Sequence, residues 1–431
     1  MKPATSNKPL AAVAIVVFIA LVSMTAIRVV KQYQVPGPFT PSAQGMCDFH
    51  NGIYFPTKAL LRGVSPYGQA YADDYPVARQ IPFFSPGILL LHAPFAMMPL
   101  HVAEVLYFVF CVGLIIAIAV LCADVAGKPW RVDWIACVAC VLVASRGGHI
   151  TLFDGYFTFE LVLASMLAIH WAPKHPLWAA IALAVVSAKP TYILPLGFLL
   201  LARGNVKAIV IGAIYSVVLA AIPFGWLAYH EGLREIGRGD LTAGLNKVLG
   251  DIETTQQVHM NMPDESPVLS WTRLDLLAAV SKWTQSEPSQ ATHLIVMAAI
   301  LAVPMALLVV RCRRKLDDGL GGATGAMILL ATLTSLYHQS YDAMLMLAPI
   351  TAAAAVELPY WKSMPGKTRW AVCALMLFPL FNLLSTRSLL LKLNLGSAAY
   401  AAATCLNGVS IATALGVVCY FAVRRQTGPA A

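Results

Sequence analysis

An acid stands just past the first apolar run of this chain, at Asp48 in the segment Met46-Cys47-Asp48-Phe49-His50. A carboxylate delivered to a membrane surface can take the proton of a substrate hydroxyl, general-base work that typically contributes ~10²–10⁴-fold. Three further polar groups interrupt the apolar background: Gly147 to Gly155 with His149 and Asp154, ahead of Glu160; Lys189-Pro190; and Tyr337-His338-Gln339-Ser340-Tyr341-Asp342. Ionisable residues at membrane depth are expensive and read by default as functional, each with a partner. Each also has a plainer use. Asp48 can cap the helix that runs to Leu61, Lys189 can anchor headgroups, His338 can donate to a carbonyl, and Asp154 can pair with Arg146. His92 and His170 lie in apolar stretches without polar company and read as structural.

Around Asp48 the sequence carries His50, Tyr54, Arg62-Gly63, Pro66-Tyr67, Asp73-Asp74-Tyr75, Arg79 and Pro82 to Pro86. An acid, a short helix ending at a glycine, a Pro-Tyr turn and a proline-flanked apolar stretch suggest a built site. Among these, His50, Tyr54, Arg62, Tyr67 and Arg79 are candidates to bind substrate, together with Asp154, Lys189, His338 and Gln339.

What must position these residues follows from composition. Of 431 residues 58% are hydrophobic and 12% charged, with mean hydropathy +0.70, so the chain is an all-α polytopic membrane protein. The net charge of +9, from 30 basic and 21 acidic residues, marks cytoplasmic loops and anionic headgroups, which excludes a nucleic-acid partner. The nine cysteines mostly sit in or beside apolar runs as small hydrophobes, and Cys137 and Cys140 lack the second pair a zinc site needs. No metal-ligand spacing, phosphate loop or Ser-His-Asp grouping occurs.

The run from Leu10 to Val30 is long enough to span a bilayer. Basic clusters at 311–315, 362–369 and 424–425 belong in the cytoplasm, and so put Asp48 outside. The whole chain reads as a single membrane domain of about 11 to 13 spans, with a first outer loop at 31–82 and a long one at 224–291. In the long loop, Leu245 to Ile252 and Leu274 to Trp283 read as amphipathic interfacial helices. The stretch from Phe83 to Met98 either crosses or re-enters. Crossing puts Lys128, Arg131 and Lys174 outside. Re-entry puts them inside, brings Arg146 to Tyr156 to the face of Asp48, and makes two short helices meet at Lys189-Pro190; it is the favoured placement because it keeps Lys189 from the bilayer centre.

The first-loop pattern of Asp48-Phe49, Tyr54, Leu60 to Gly63, Pro66-Tyr67, Tyr75 and Pro82 to Pro86, with Lys189-Pro190 beyond, resembles the GT-C membrane glycosyltransferases. Within them it is similar to the polyprenol-phosphate-sugar-dependent branch, glycosyltransferase family 87 (DUF2029). The resemblance implies a GT-C-like bundle in a bacterial inner membrane, with its active site facing the periplasm. It implies transfer of mannose, another hexose or a pentose from a polyprenyl-phosphate carrier to a glycolipid or glycan hydroxyl, with Asp48 as the base and membrane lipids as surroundings. No cofactor is implied, and a divalent ion is left open. The chain departs from the family's frequent Gly-Gln-x-Asn segment, having Phe153-Asp154-Gly155-Tyr156, and its Tyr-Pro-Pro segment is opened into Tyr75 to Pro86. Two alternatives stand beside this reading: an O-antigen ligase or polymerase-like enzyme using Arg234, Arg238 and Arg273, and a lipid-linked sugar transporter, which needs the same buried charges.

Overall fold

The computed structural model describes residues 6–424 except 38, 41–42, 78–81, 83, 261, 264 and 383. Among the described residues it is helical throughout, with one isolated bridge between Arg273 and Gln339 and no strand. The first helix, α1 (Lys8–Lys31), is capped by the Asn7 side chain, which accepts from Leu10 N at 3.3 Å. It closes with Arg28 and Lys31 against its C-terminal dipole. Its surface shows why it belongs in lipid: Val13, Val16, Ile19 and Met24 are all exposed.

There follow α2 (Leu100–Val125), α3 (Val132–Ala144) and α4 (Arg146–Asp154), the last two bent by 73° at Ser145. Next come α5 (Thr158–Trp171), α6 (Pro176–Val186), α7 (Pro190–Ala202) and α8 (Val206–Ile236). After them lie α9 (Leu241–Met260), α10 (Leu276–Thr284), α11 (Gln290–Arg313), α12 (Ala323–Ser335), α13 (Leu347–Ala355), α14 (Gly366–Phe381) and α15 (Ser397–Arg424). Every residue of α12 is buried, so this helix is the centre around which the others pack.

Among the described residues five helices are long and apolar enough to cross a membrane, α1, α2, α8, α11 and α15, or six if α3 and α4 make one broken span. The expected 11 to 13 spans count apolar runs, and several of these runs fold into short helices. A 13-residue helix such as α7 rises ~20 Å at 1.5 Å per residue, short of the ~30 Å hydrocarbon core. Likewise, the stretch from 84 to 98 does not cross as one helix but breaks at His92 into Pro86–Leu91 and Ala93–Ala96. Helix α8 continues through Pro223 to Ile236, so the first part of the expected long loop is helical.

Ion pairs show which residues share an end of the bundle. Lys128 and Lys362 both pair with Glu357, Arg203 pairs with Asp317, and Arg311 with Asp318. Ser6 donates to Asp133, which also holds Arg131. The basic segments around 128–131, 203, 311 and 362 therefore gather with the N-terminus, as the re-entrant placement requires.

Candidate functional site

At the other end, the polypeptide leaving α1 turns back through Gly45, whose N donates to Gln32 O at 3.0 Å. Met46 N then donates to Phe153 O at 2.9 Å, which fastens the turn to the end of α4. That end is closed by Gly155 in the left-handed region (φ 72°), where a Cβ would lie 2.8 Å from Phe49 Cβ. The close approach fixes Asp48 beside Asp154. Asp48 precedes a π-helical turn, Phe49–Tyr54, and its side chain makes no capping hydrogen bond there. The plainer alternative for Asp48, capping the helix that follows, is thus not what its side chain does.

The carboxylate instead lines a cavity of about 170 Å³, walled also by Ile150, Asp154, Tyr156, Lys189, His259, Glu265, Trp271, Thr272, Tyr337, Gln339, Ser340 and Tyr341. Lys189 reaches it because Pro190 starts α7 and leaves Lys189 extended at the N-cap (φ −116°, ψ 110°). Although only 5% of Lys189 is exposed, its ammonium forms no hydrogen bond or ion pair among the described residues. It lies against the rings of Tyr341 (5.1 Å), Tyr156 (5.3 Å) and Tyr192 (5.7 Å). Cation–π contact holds such a charge in place, yet leaves its three N–H donors directed to whatever enters. Burial, and next the charge of Asp48, push the Tyr156 phenol well above its usual range, so it stays a neutral donor.

Of the residues singled out from the sequence, Asp48, Asp154, Lys189 and Gln339 meet at this cavity. Gln339 is held by Nε2 donating to Tyr337 Oη (2.6 Å) and by a capping box with Asp342. His338 does not line the cavity. It is fully buried behind the wall, with Nδ1 3.0 Å from Asp342 Oδ2, and Asp342 also accepts from Tyr192. His50 is fully buried too and turns away, 3.0 Å from Gln44 and paired with Glu104. Tyr54 donates to Met98 O and Tyr67 to Phe84 O, each at 2.8 Å, and both rings sit in the core. Arg62 is exposed with its guanidinium over the Tyr75 ring, and Arg79 lies outside the described residues.

Two sequence readings need correction. His92 has polar company after all: its Nε2 lies 2.9 Å from Glu160 Oε1, and Tyr107 donates to the same oxygen at 3.0 Å. Their partner comes from α5, and only the packing of Pro86–Leu91 against the bundle brings it within reach. Arg146 does not form the expected ion pair with Asp154, because the two stand at opposite ends of α4.

Sequence reasoning missed His259, Glu265, Trp271 and Thr272 as cavity residues, and had Tyr156 and Tyr337 in its polar segments without offering them as site residues. Glu265 and Trp271 come from the loop between α9 and α10, tied back by Leu274 N donating to His338 O at 2.9 Å. Nothing in their spacing relates them to Asp48. Glu265 pairs with His259 at 3.0 Å, so the lining is acidic, with the Lys189 ammonium set among Asp48, Asp154 and Glu265. Among the described residues no three His, Cys, Asp or Glu side chains are grouped to hold a metal ion.

Compared with known proteins, residues 83–336 match the model of glycosyltransferase family 87. No curated protein and no solved structure matches the chain.

Proposed function

The chain belongs to glycosyltransferase family 87 and is a multi-pass membrane glycosyltransferase, and from that premise we propose that it transfers a sugar from a polyprenyl-phosphate carrier to a hydroxyl of a glycolipid or glycan on the outer face of the membrane. The observation that carries this reading is Lys189, a buried ammonium that no hydrogen bond or salt bridge engages among the described residues, in the same small cavity as the Asp48 carboxylate. A cation so placed is suited to a substrate phosphate, and a carboxylate across from it is suited to an acceptor hydroxyl.

In the proposed step the acceptor O–H gives its proton to Asp48 as its oxygen attacks the anomeric carbon. The bond from that carbon to the phosphate oxygen breaks, and its electron pair leaves with the lipid phosphate. Attack opposite the departing group inverts the anomeric configuration. Negative charge grows on the phosphate as the bond breaks, so an ammonium already oriented by three rings acts more on the transition state than on the bound donor. Asp154, Gln339, Tyr156 and Tyr341 offer the hydrogen-bonding groups for sugar hydroxyls. The basic end of the bundle belongs in the cytoplasm by the positive-inside rule, which places the cavity outside.

The family assignment removes support for a transporter. The ligase-like alternative relies on free loop arginines, but Arg273 is held by Asp275 through two hydrogen bonds of 2.9 and 3.0 Å, and Arg234 by Glu231. The test is Asp48→Asn in purified protein supplied with a panel of radiolabelled polyprenyl-phosphate sugars and a membrane lipid extract as acceptor. The variant should fold and bind donor normally while transfer falls by at least ~10²-fold; wild-type turnover would remove Asp48 from the chemistry.

A further inference from the structure

A larger cavity adjoins the first across a single side chain. Trp271, which lines the Lys189 cavity, also lines a second one of about 480 Å³, shared with Pro263, Arg387, Leu390, Leu391, Asn394 and Tyr400. One wall of it is the short helix Arg387–Leu393 between α14 and α15. Leu390 is buried, and Asn394 ends the helix in the left-handed region (φ 44°), its N donating to Leu390 O at 3.2 Å. The turn leads into α15, whose Tyr400 Oη donates to Leu269 O at 2.8 Å and so ties this wall to the loop that carries Trp271.

Size separates the roles of the two cavities. The reaction proposed above joins two substrates, but about 170 Å³ is less than the ~300–1,000 Å³ that usually encloses one small ligand. The Lys189 cavity therefore takes the reacting groups, and the body of one substrate must lie outside it. The second cavity has the volume, and its lining has a definite chemistry. Trp271 and Tyr400 give aromatic surface against which the C–H face of a sugar packs. The Asn394 amide both donates and accepts, as hydroxyls require. Arg387 is exposed, with its guanidinium 5.7 Å from the Trp271 ring centre, and makes no ion pair with a carboxylate among the described residues. It is the one charged residue among the described lining residues, so the cavity is positive. On the same helix Leu391 is 71% and Leu393 54% exposed. This apolar surface beside Arg387 and Lys392 suits the boundary between headgroups and acyl chains.

We infer that this second cavity holds the headgroup of the acceptor, and that the acceptor is a glycolipid whose sugar carries a negative charge recognised by Arg387. The inference rests on the proposed reaction in taking the Lys189 cavity as the donor's, and goes beyond it in naming the acceptor's site and charge. A headgroup packed on Trp271 has one side chain between it and the cavity that holds Asp48. Arg387, Leu390, Leu391, Asn394 and Tyr400 all lie beyond residue 336, where the family match ends, so this selectivity belongs to the chain's own C-terminal segment.

A matched pair of probes tests this: glucuronosyl dihexanoylglycerol and glucosyl dihexanoylglycerol, which differ only in a carboxylate against a hydroxymethyl group. Binding of each to the full chain in neutral detergent is measured by isothermal titration calorimetry. The wild type should bind the acidic probe about tenfold more tightly, the worth of one charge-assisted contact. Arg387→Gln should abolish that preference while leaving the neutral probe within about threefold, and Arg387→Lys should keep it, which separates charge from a folding defect. No preference in the wild type, or one that survives Arg387→Gln, overturns the inference. Free glucuronate that binds as tightly as the acidic lipid would assign the cavity to a soluble glycan and overturn the glycolipid assignment. Farnesyl phosphate keeps the two readings apart, since Lys189→Met should weaken its binding and Arg387→Gln should not. If Lys189→Met binds it normally while the Arg387 results hold, the acidic-glycolipid site stands and the role proposed for Lys189 falls. If Arg387→Gln weakens farnesyl phosphate as much as the acidic probe, the second cavity takes the donor and the inference fails.

Discussion

Two residues divide the proposed chemistry, and the contrast between Lys189 and His338 shows what each can contribute. Both were candidates for the leaving phosphate, but the ammonium opens into the cavity and the imidazole is walled off against Asp342. Lys189→Met should therefore lower both donor affinity and the rate of the bound complex, since it removes an interaction that strengthens as charge develops. His338→Gln keeps a hydrogen-bond donor for Asp342 and should leave kcat and KM within about threefold. Steady-state kinetics over a range of donor concentration check both. Equal losses in the two variants would mean that the phosphate reaches His338, or that Asp342 and not Lys189 governs the site. The family match covers residues 83–336, and so includes Lys189 and Asp154 but not Asp48. The general-base role of Asp48 accordingly rests on its place in the cavity and on its own mutational test.

Among the elements, α10 shows how a loop helix is fixed to the bundle. Asp275 caps it, accepting from Ala278 N at 2.9 Å, and is itself held by Arg273, whose backbone bridges Gln339 in the cavity wall. Farther along, Lys282 is only 2% exposed and donates to Thr404 O of α15 at 3.2 Å. Burial lowers its pKa from the ordinary lysine range to about 8. The unfolded chain, at ~10.4, then binds more protons than the native one between about pH 8 and ~10.4, so this lysine makes stability rise with pH across that window. Thermal unfolding in detergent from pH 7.5 to 9.5 should show the wild type at its greatest disadvantage to Lys282→Met at low pH and gaining on it as the pH rises. A difference between them that stays constant with pH would show that Lys282 titrates alike in both states.

At the scale of the molecule, the ion pairs collect the basic segments at one end and the cavity lies at the other, which fixes topology up to a choice of direction. The proposed outward placement of the cavity takes that direction from the positive-inside rule. In a background without native cysteines, Gly250→Cys on α9 should react with an impermeant thiol reagent added outside, since a Cβ there meets no neighbour. Lys174→Cys after α5 and Gly366→Cys at the start of α14 should resist it until the membrane is opened. Labelling of Lys174→Cys from outside while Gly366→Cys stays protected would contradict the gathering of these segments at one end.

The sequence by itself determined the solvent, the helical class and the unusual residues. Composition and hydropathy depend only on residue type, and a lone Asp or Lys in an apolar background is visible without coordinates. The two short helices meeting at Lys189-Pro190 were legible as well, because proline after an extended residue starts a helix. What only the tertiary structure decided is which polar residues face one another. His50 stands two residues from Asp48 but turns into the core toward Glu104, and His338 neighbours Gln339 but lies behind the wall. Glu265 and Trp271 reach the cavity from a loop more than two hundred residues along the chain from Asp48. Arg28, near the end of the first span, meets His149 only because the bend between α3 and α4 brings that side chain against it. Residue type sets what a side chain can do. Its direction is set by packing between segments far apart in the chain, which no local pattern records.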